Sequence, residues 1–191
     1  MKKKIILASS SPRRIKILRE LGIRFKRSSP NIVETQNKGE TPRHFAVRCS
    51  IDKAKTVAEK KSGIIIAADT IVVLDNKVIG KPKNRKDAVR ILKKISGKTH
   101  TVITGITVLD TETGRLKSDY EETKVVIAKL TMTEINCYIN TYEPLDKAGA
   151  YAAQGKGAVL VEKVHGDFFN VVGLPVFKLN KLLKFFNINL I

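Results

Sequence analysis

The sequence predicts an α/β or α+β domain built on a large mixed sheet. Three observations carry this. Two turn signals, Asp75-Asn76 and Asp110 to Gly114, each separate β-rich runs and read as hairpins. Helical stretches open at Pro12, Pro42, Thr131 and Pro175, so helices are interleaved with the strands. Hairpins of this kind do not occur in a purely doubly wound parallel sheet. At 191 residues the chain has the length of one domain or of two tightly joined lobes, and residues 1–191 are taken as a single domain.

The elements follow in order. Residues 3–8 form a short apolar strand, and Ser9-Ser10-Ser11 turns the chain. Pro12 suits the first helical position, with Ser11 as N-cap. Ile15, Leu18 and Leu21 give that helix an apolar stripe, and Gly22 ends it. A second strand covers 23–28. From Pro42 a helix runs to about Lys61, with Phe45, Cys49 and Val57 facing inward. IIIAADTIVVL at 64–74 is the longest apolar run and reads as a central strand, paired through the Asp75-Asn76 turn with Lys77–Ile79. Residues 84–96 are helical and stop at Gly97. Two long strands, 99–109 and 115–129, form the next hairpin. Thr131 caps a helix to about Asn140, and glycines from Gly149 to Gly157 mark a loop. Strands are expected near 158–164 and 167–171, before the final helix.

The 36 Lys and Arg against 18 Asp and Glu leave a net charge of +18. Half of that excess lies in the first 27 residues, where ten basic side chains face Glu20 alone. Such a balance admits nucleic acid, an anionic surface or a small polyanion as partner, and many of the lysines need be only solvated helix faces. Nucleic acid is disfavoured, because aromatics are only 6% and no RNP, KH or basic-helix signature is present. No apolar run reaches the roughly 18 residues of a membrane span, and the apolar part of the N-terminus, Ile5 to Ala8, is too short for a signal peptide. A cytoplasmic protein is therefore expected, with Cys49 and Cys137 as buried thiols. There is no CxxC or HExxH, and His44, His100 and His165 are dispersed, which argues against zinc.

Four segments can carry chemistry. Ser9-Ser10-Ser11-Pro12-Arg13-Arg14 joins a strand end to a helix start, where amide groups, hydroxyls and guanidinium groups suit a phosphate. An ordinary serine cap beside solvated arginines gives the same pattern. Asp69 is the one charged residue between Gly63 and Leu74. A carboxylate buried there needs a cation, a metal or strong donors, and backbone amides at a bulge would also serve. Lys81 stands in the stiff Gly80-Lys81-Pro82 turn and could meet a phosphate or only solvent. The segment Glu143 to Gly157 is rich in small residues, and its Gln154 carries the donor and acceptor that reading a base edge requires. Glu34 and Lys53 default to surface residues by pattern alone.

Six blocks together resemble the Maf family of nucleotide pyrophosphatases: LASSSPRR, AADTIVV, GKPKN, SGKTHTVITG, EPLDKAGAYAAQG and NVVGLPV, in register over nearly the whole chain. The resemblance implies a mixed, mostly antiparallel central sheet with flanking helices. It also implies two lobes around a cleft, as in inosine triphosphate pyrophosphatases. The implied reaction is hydrolysis of a nucleoside triphosphate to monophosphate and pyrophosphate with Mg²⁺ or Mn²⁺. By resemblance, Asp69 is the proton acceptor and Arg13, Thr70 and Gln154 set base specificity. Ser9, Arg14, Lys53 and Lys81 hold phosphate, and Glu34 with Asp69 hold the metal. The family often carries two adjacent acids where this chain has Val33-Glu34, so one carboxylate fewer is at hand.

Within the family, S-P-R-R, A-D-T and K-A-G-A-Y…Q-G resemble the branch acting on dTTP and UTP, with modified pyrimidine nucleotides as further substrates in pool sanitation. The branch acting on 7-methyl-GTP typically shows Trp in the opening block, S-D-Q and C-A-G-S-F…E-G. That branch or a broader nucleotide pyrophosphatase is the alternative, and a basic nucleic-acid-binding protein is the alternative of another class. The family is also linked to septum formation and cell-division arrest. The sequence leaves the oligomeric state open, a homodimer included.

Overall fold

The computed structural model describes residues 4–190. Lys2 and Lys3 of the basic N-terminal block, Lys3 of the expected first strand, and Ile191 lie outside the described residues. In chain order the elements are β1 (Ile5–Leu7), α1 (Pro12–Glu20), β2 (Phe25–Arg27), α2 (Pro42–Ala58), β3 (Ile64–Leu74), β4 (Lys77–Ile79), α3 (Arg85–Ile95), β5 (Thr99–Asp110), β6 (Leu116–Ile127), α4 (Met132–Ile139), β7 (Val161–His165), α5 (Phe168–Val172) and α6 (Val176–Phe185). Three short 3₁₀ turns fill the stretch between α4 and β7. The strands are hydrogen bonded in the order β2-β1-β3-β5-β6-β7, with β4 on β3. The sheet is mixed and mostly antiparallel, as expected.

The described residues divide into two compact units. The first takes the residues up to Asp69, Thr104–Glu121 and those from Gly173 onward; the second takes Thr70–Ile103 and Glu122–Val172.

In the first unit β1 is parallel to both neighbours, Ile5 standing opposite Phe25 on β2 and Ile64 on β3. The α1 crossover makes the β1–β2 pairing parallel. Ile6, Ala8, Ala54, Val57, Ile65, Ala67 and Leu109 form a core between sheet and α2. That packing depends on Gly105 of β5, where an added Cβ would lie 2.2 Å from the Ala46 carbonyl oxygen. Helix α2 can therefore press on the strand without an intervening side chain, and Ser50 Oγ meets Thr107 Oγ1 at 2.6 Å beside it.

In the second unit the Asp75-Asn76 turn has both residues at positive φ, 51° and 58°, the geometry that matches strand twist in a two-residue hairpin. It pairs Val72 with Ile79 and Leu74 with Lys77. Helices α3 and α4 bury Leu92, Ile95, Ile135 and Tyr138 in the second core. A capping box fixes the start of α4: the Thr131 hydroxyl accepts the Glu134 amide, and the Glu134 carboxylate accepts the Thr131 amide.

Three local expectations differ from the structure. Residues 168–172 are helical rather than extended, because the Asp167 carboxylate accepts the Phe169 and Asn170 amides at 2.7 and 3.2 Å and so caps a helix start. The preceding strand begins only at Val161, after a 3₁₀ turn. Cys49 is buried but Cys137 is exposed, since α4 turns Ile135, Tyr138 and Ile139 inward and leaves position 137 outside that face.

Candidate active site

In the first unit, Asp69 lies in β3 with 5% exposure. On α2, the i, i+4 rhythm that buries Cys49 also brings Lys53 to the inner face, at 8% exposure. Lys53 Nζ donates to Asp69 Oδ1 at 2.5 Å and pairs with Glu34 Oε1 at 2.7 Å. The buried carboxylate therefore finds a cation, not backbone amides at a bulge. One helical turn earlier, burial and then the Asp69 charge push the Cys49 thiol up to about 12, which makes it inert near neutral pH.

Glu34 is half exposed and sits on the long connection between β2 and α2. Arg48 of α2 ties that connection down. Its Nε and Nη2 donate to the two Glu40 carboxylate oxygens at 2.7 and 2.9 Å, Nη2 donates to the Thr35 carbonyl at 2.8 Å, and Nη1 donates to Asp52 at 3.2 Å. The neighbour of Glu34 in sequence is thus fixed to the helix that carries Lys53.

Ser9 and Arg14 occupy the turn from β1 into α1. Ser11 holds the N-cap position, but its side chain makes no capping bond; Ser9 Oγ accepts the Ser11 amide at 3.1 Å instead. Arg14 is buried in the first helical turn. Its Nε donates to the Gly173 carbonyl at 2.7 Å and its Nη1 to Ser9 Oγ at 3.3 Å. Burial lowers the Arg14 pKa from its ordinary value, and the Asp69 and Glu34 charges act against that shift. Arg13 stands beside it, half-buried. Ser9 and Ser10 also line a groove of roughly 730 Å³ with Arg19, Arg24, Lys26 and Arg27. Hydroxyl, ammonium and guanidinium donors here meet two carboxylates, a set able to bind anionic oxygens and to accept a proton from water.

Glu34 and Asp69 are hard oxygen donors. Among the described residues no group of three or more His, Cys, Asp and Glu is gathered that could cage an ion. Two carboxylates suffice for a hard divalent ion that keeps other oxygens in its shell, and the donor chemistry of this pair suits an ion of that kind.

The second unit carries Thr70, Lys81 and Gln154. Thr70 follows Asp69 directly and is half-buried, as is Gln154, while Lys81 is exposed. The Gly149 amide donates to the Gly80 carbonyl at 3.1 Å, which joins the Lys81 turn to the segment containing Gln154. Gly149 itself has φ 73°, and a Cβ there would lie 3.0 Å from Val72 Cγ2 of β3. Ala150 follows at φ 56°, fully buried, a left-handed conformation that costs an alanine roughly 1–3 kcal/mol. His100 Nε2 contacts the Tyr151 hydroxyl at 2.8 Å, and burial lowers that imidazole to about 4. His44 and His165 are exposed.

Three features escaped pattern reading: Lys53 as the partner of Asp69, the Gly173 carbonyl as acceptor for Arg14, and the bonds of Glu143 described below. Gly173 had a signal in the NVVGLPV block and Glu143 one in the EPLDKAGAYAAQG block, whereas nothing in the pattern pairs Lys53 with Asp69.

A family model described as "Maf-like protein" matches residues 4–186. Among curated relatives, a dTTP/UTP pyrophosphatase of Dictyoglomus thermophilum is 49% identical over 187 residues, covering 96% of each chain. One of Thermoanaerobacter sp. is 50% identical over 183 residues, covering 95% of each. Another, of Methanosarcina barkeri, is 46% identical and covers 95% of this chain and 93% of its own. Among solved structures, a HAM1 protein from Coxiella burnetii superposes with a TM-score of 0.52 at 17% identity over 83% of this chain and 80% of that one. The Staphylococcus aureus Ham1 protein gives 0.51 at 15% identity with the same coverage. At those identities the likeness is one of fold.

Proposed function

The chain belongs to the Maf-like family, and from that premise we propose that it hydrolyses dTTP and UTP to the monophosphate and pyrophosphate, with 1–191 acting as one such domain. The observation that carries the reading is the buried Lys53–Asp69 pair with Glu34 on the same ammonium and Arg14 close by, a charge set suited to a polyanion and an attacking water. Modified pyrimidine nucleotides are further substrates of the same class, in pool sanitation.

Phosphoryl chemistry demands mainly positioning and neutralisation of charge. Ser9, Arg14, Lys53 and Lys81 hold the phosphates. Glu34 and Asp69 would hold Mg²⁺ or Mn²⁺, whose positive charge supports the displaced oxygen. The Asp69 carboxylate orients a water toward the α-phosphorus and takes its proton. The new P–O bond forms from that water, the bond to the β-phosphate oxygen breaks, and pyrophosphate leaves. Arg13, Thr70 and Gln154 read the pyrimidine, with the Gln154 amide supplying both donor and acceptor. The protein acts in the cytoplasm, where its two unpaired thiols would stay reduced.

Asp69→Asn tests the assignment. Pyrophosphate release from dTTP and UTP should fall at least about a thousandfold with the circular-dichroism spectrum unchanged. Near-wild-type turnover in that variant would contradict it.

A further inference from the structure

The second unit contains a carboxylate that the proposed reaction does not use. Glu143 opens the segment after α4, directly behind Tyr142, which is held at φ 60°. Its half-buried side chain is turned onto the following loop. Oε1 accepts the Gly157 amide at 2.9 Å and the Tyr138 hydroxyl at 3.0 Å, and Oε2 accepts the Lys156 amide at 3.1 Å. Burial pushes the Glu143 carboxyl up, but these donors outweigh it and hold the group below its ordinary value. The chain approaches so closely that a Cβ on Gly155, at φ 70°, would lie 2.8 Å from Glu143 Oε2. A Cβ on Gly157 would lie 2.4 Å from the Tyr138 hydroxyl oxygen.

The same hydroxyl accepts the Ala152 amide at 3.2 Å. The backbone is therefore clamped two residues before Gln154 through Tyr138, and two and three residues after it through Glu143. Tyr138 and Glu143 also bond each other, so the two clamps form one rigid unit anchored in α4. Lys147 completes it by donating to the Glu143 carbonyl at 3.1 Å. Nothing in this arrangement touches the phosphates or the attacking water as proposed above. What it holds is the position from which the Gln154 amide projects.

We infer that Glu143, with Tyr138, is a positioning residue for base recognition, fixing the 152–157 backbone so that Gln154 presents its amide to the pyrimidine edge. The inference rests on the proposed role of Gln154. A side-chain amide distinguishes uracil from cytosine only if its donor and acceptor are held in register with the ring. Uracil offers an oxygen acceptor where cytosine offers an amino donor. A mobile loop would let the amide flip and accept both.

The test compares UTP with CTP, by kcat/KM for pyrophosphate release, in the full chain and in Gln154→Ala, Glu143→Gln, Tyr138→Phe and the double variant Glu143→Gln/Gln154→Ala. Glu143→Gln keeps size and removes one acceptor oxygen. Its UTP-over-CTP ratio should fall at least about tenfold toward that of Gln154→Ala, through a higher KM for UTP with kcat within about threefold. Tyr138→Phe should shift the ratio in the same direction by less, which keeps the test decisive should Glu143→Gln fail to fold. In the double variant Glu143→Gln should add nothing to the Gln154→Ala ratio. If Gln154→Ala loses selectivity while Glu143→Gln and Tyr138→Phe keep the wild-type ratio, the positioning role is wrong. Equal loss of kcat on both nucleotides with a lower Tm would also overturn it, since that is the mark of a purely structural clamp. If Gln154→Ala itself keeps the wild-type ratio, the reading of Gln154 falls, and this inference with it.

Discussion

Lys53 is the residue on which the site turns. Its ammonium lies 2.5 Å from Asp69 and 2.7 Å from Glu34, with 10% of the side chain exposed. Removing one member of a buried pair leaves an uncompensated charge, a loss of about 3–5 kcal/mol. Lys53→Met should therefore lower unfolding stability by that amount in urea titrations. Adding Asp69→Asn should restore most of it without restoring turnover. Equal stability of Lys53→Met and wild type would show that the pair is solvated. Composition alone requires that Asp69 have a partner, because a lone carboxylate in an eleven-residue apolar strand cannot stay unpaired. The identity of the partner was hidden. Lys53 is sixteen residues away on a helix whose other lysine, Lys55, faces solvent, and only the packing of α2 on the sheet singles it out. Glu34 was equally mute, since nothing local marks one exposed acid in an irregular connection.

Among elements, the approach of α2 to β5 and the clamp on the connection before α2 position these side chains. Gly105→Ala would drive a methyl into the Ala46 carbonyl and should destabilise by at least about 1–3 kcal/mol. It should also lower turnover by displacing the helix that carries Lys53. A Tm within 1 °C of wild type, about what experimental scatter allows, would refute the close-packing argument. Bonds from Arg48 hold the Glu40 carboxyl at about 2, against the upward push of burial. Because that value is depressed, the clamp contributes fully above the unfolded carboxylate pKa of about 4.3 and is lost as pH falls through about 2. Arg48→Ala should remove this acid-side difference in a stability titration from pH 5 to pH 2, and an unchanged profile would discount the clamp. Most element types were legible from turn residues and periodicity. Residues 167–171 were not, because the apolar run Phe168 to Val171 reads as a strand and only the Asp167 cap, itself dependent on the local path, makes it helical. The exposure of Cys137 is not legible in the pattern, because it depends on which face of α4 packs inward, the face of Ile135, Tyr138 and Ile139.

At the scale of the whole molecule, the +18 charge is compatible with a triphosphate substrate but does not identify one. Among the described residues no helix is long and apolar enough to cross a membrane. Four of the cations line the groove at Ser9 and Ser10, and the surplus should steer anionic nucleotides by a long-range field. The value of kcat/KM should then fall several-fold as NaCl rises from about 20 mM to about 500 mM, with kcat much less affected. A flat kcat/KM would mean that the charge is compositional only. The most direct check of the central claim is pyrophosphate release by the purified protein with Mg²⁺ or Mn²⁺, measured in parallel on dTTP, UTP, CTP, 7-methyl-GTP and dITP. The account predicts fast release from dTTP and UTP and little from the other three. Preferential turnover of 7-methyl-GTP, or no release from any of them, would contradict it.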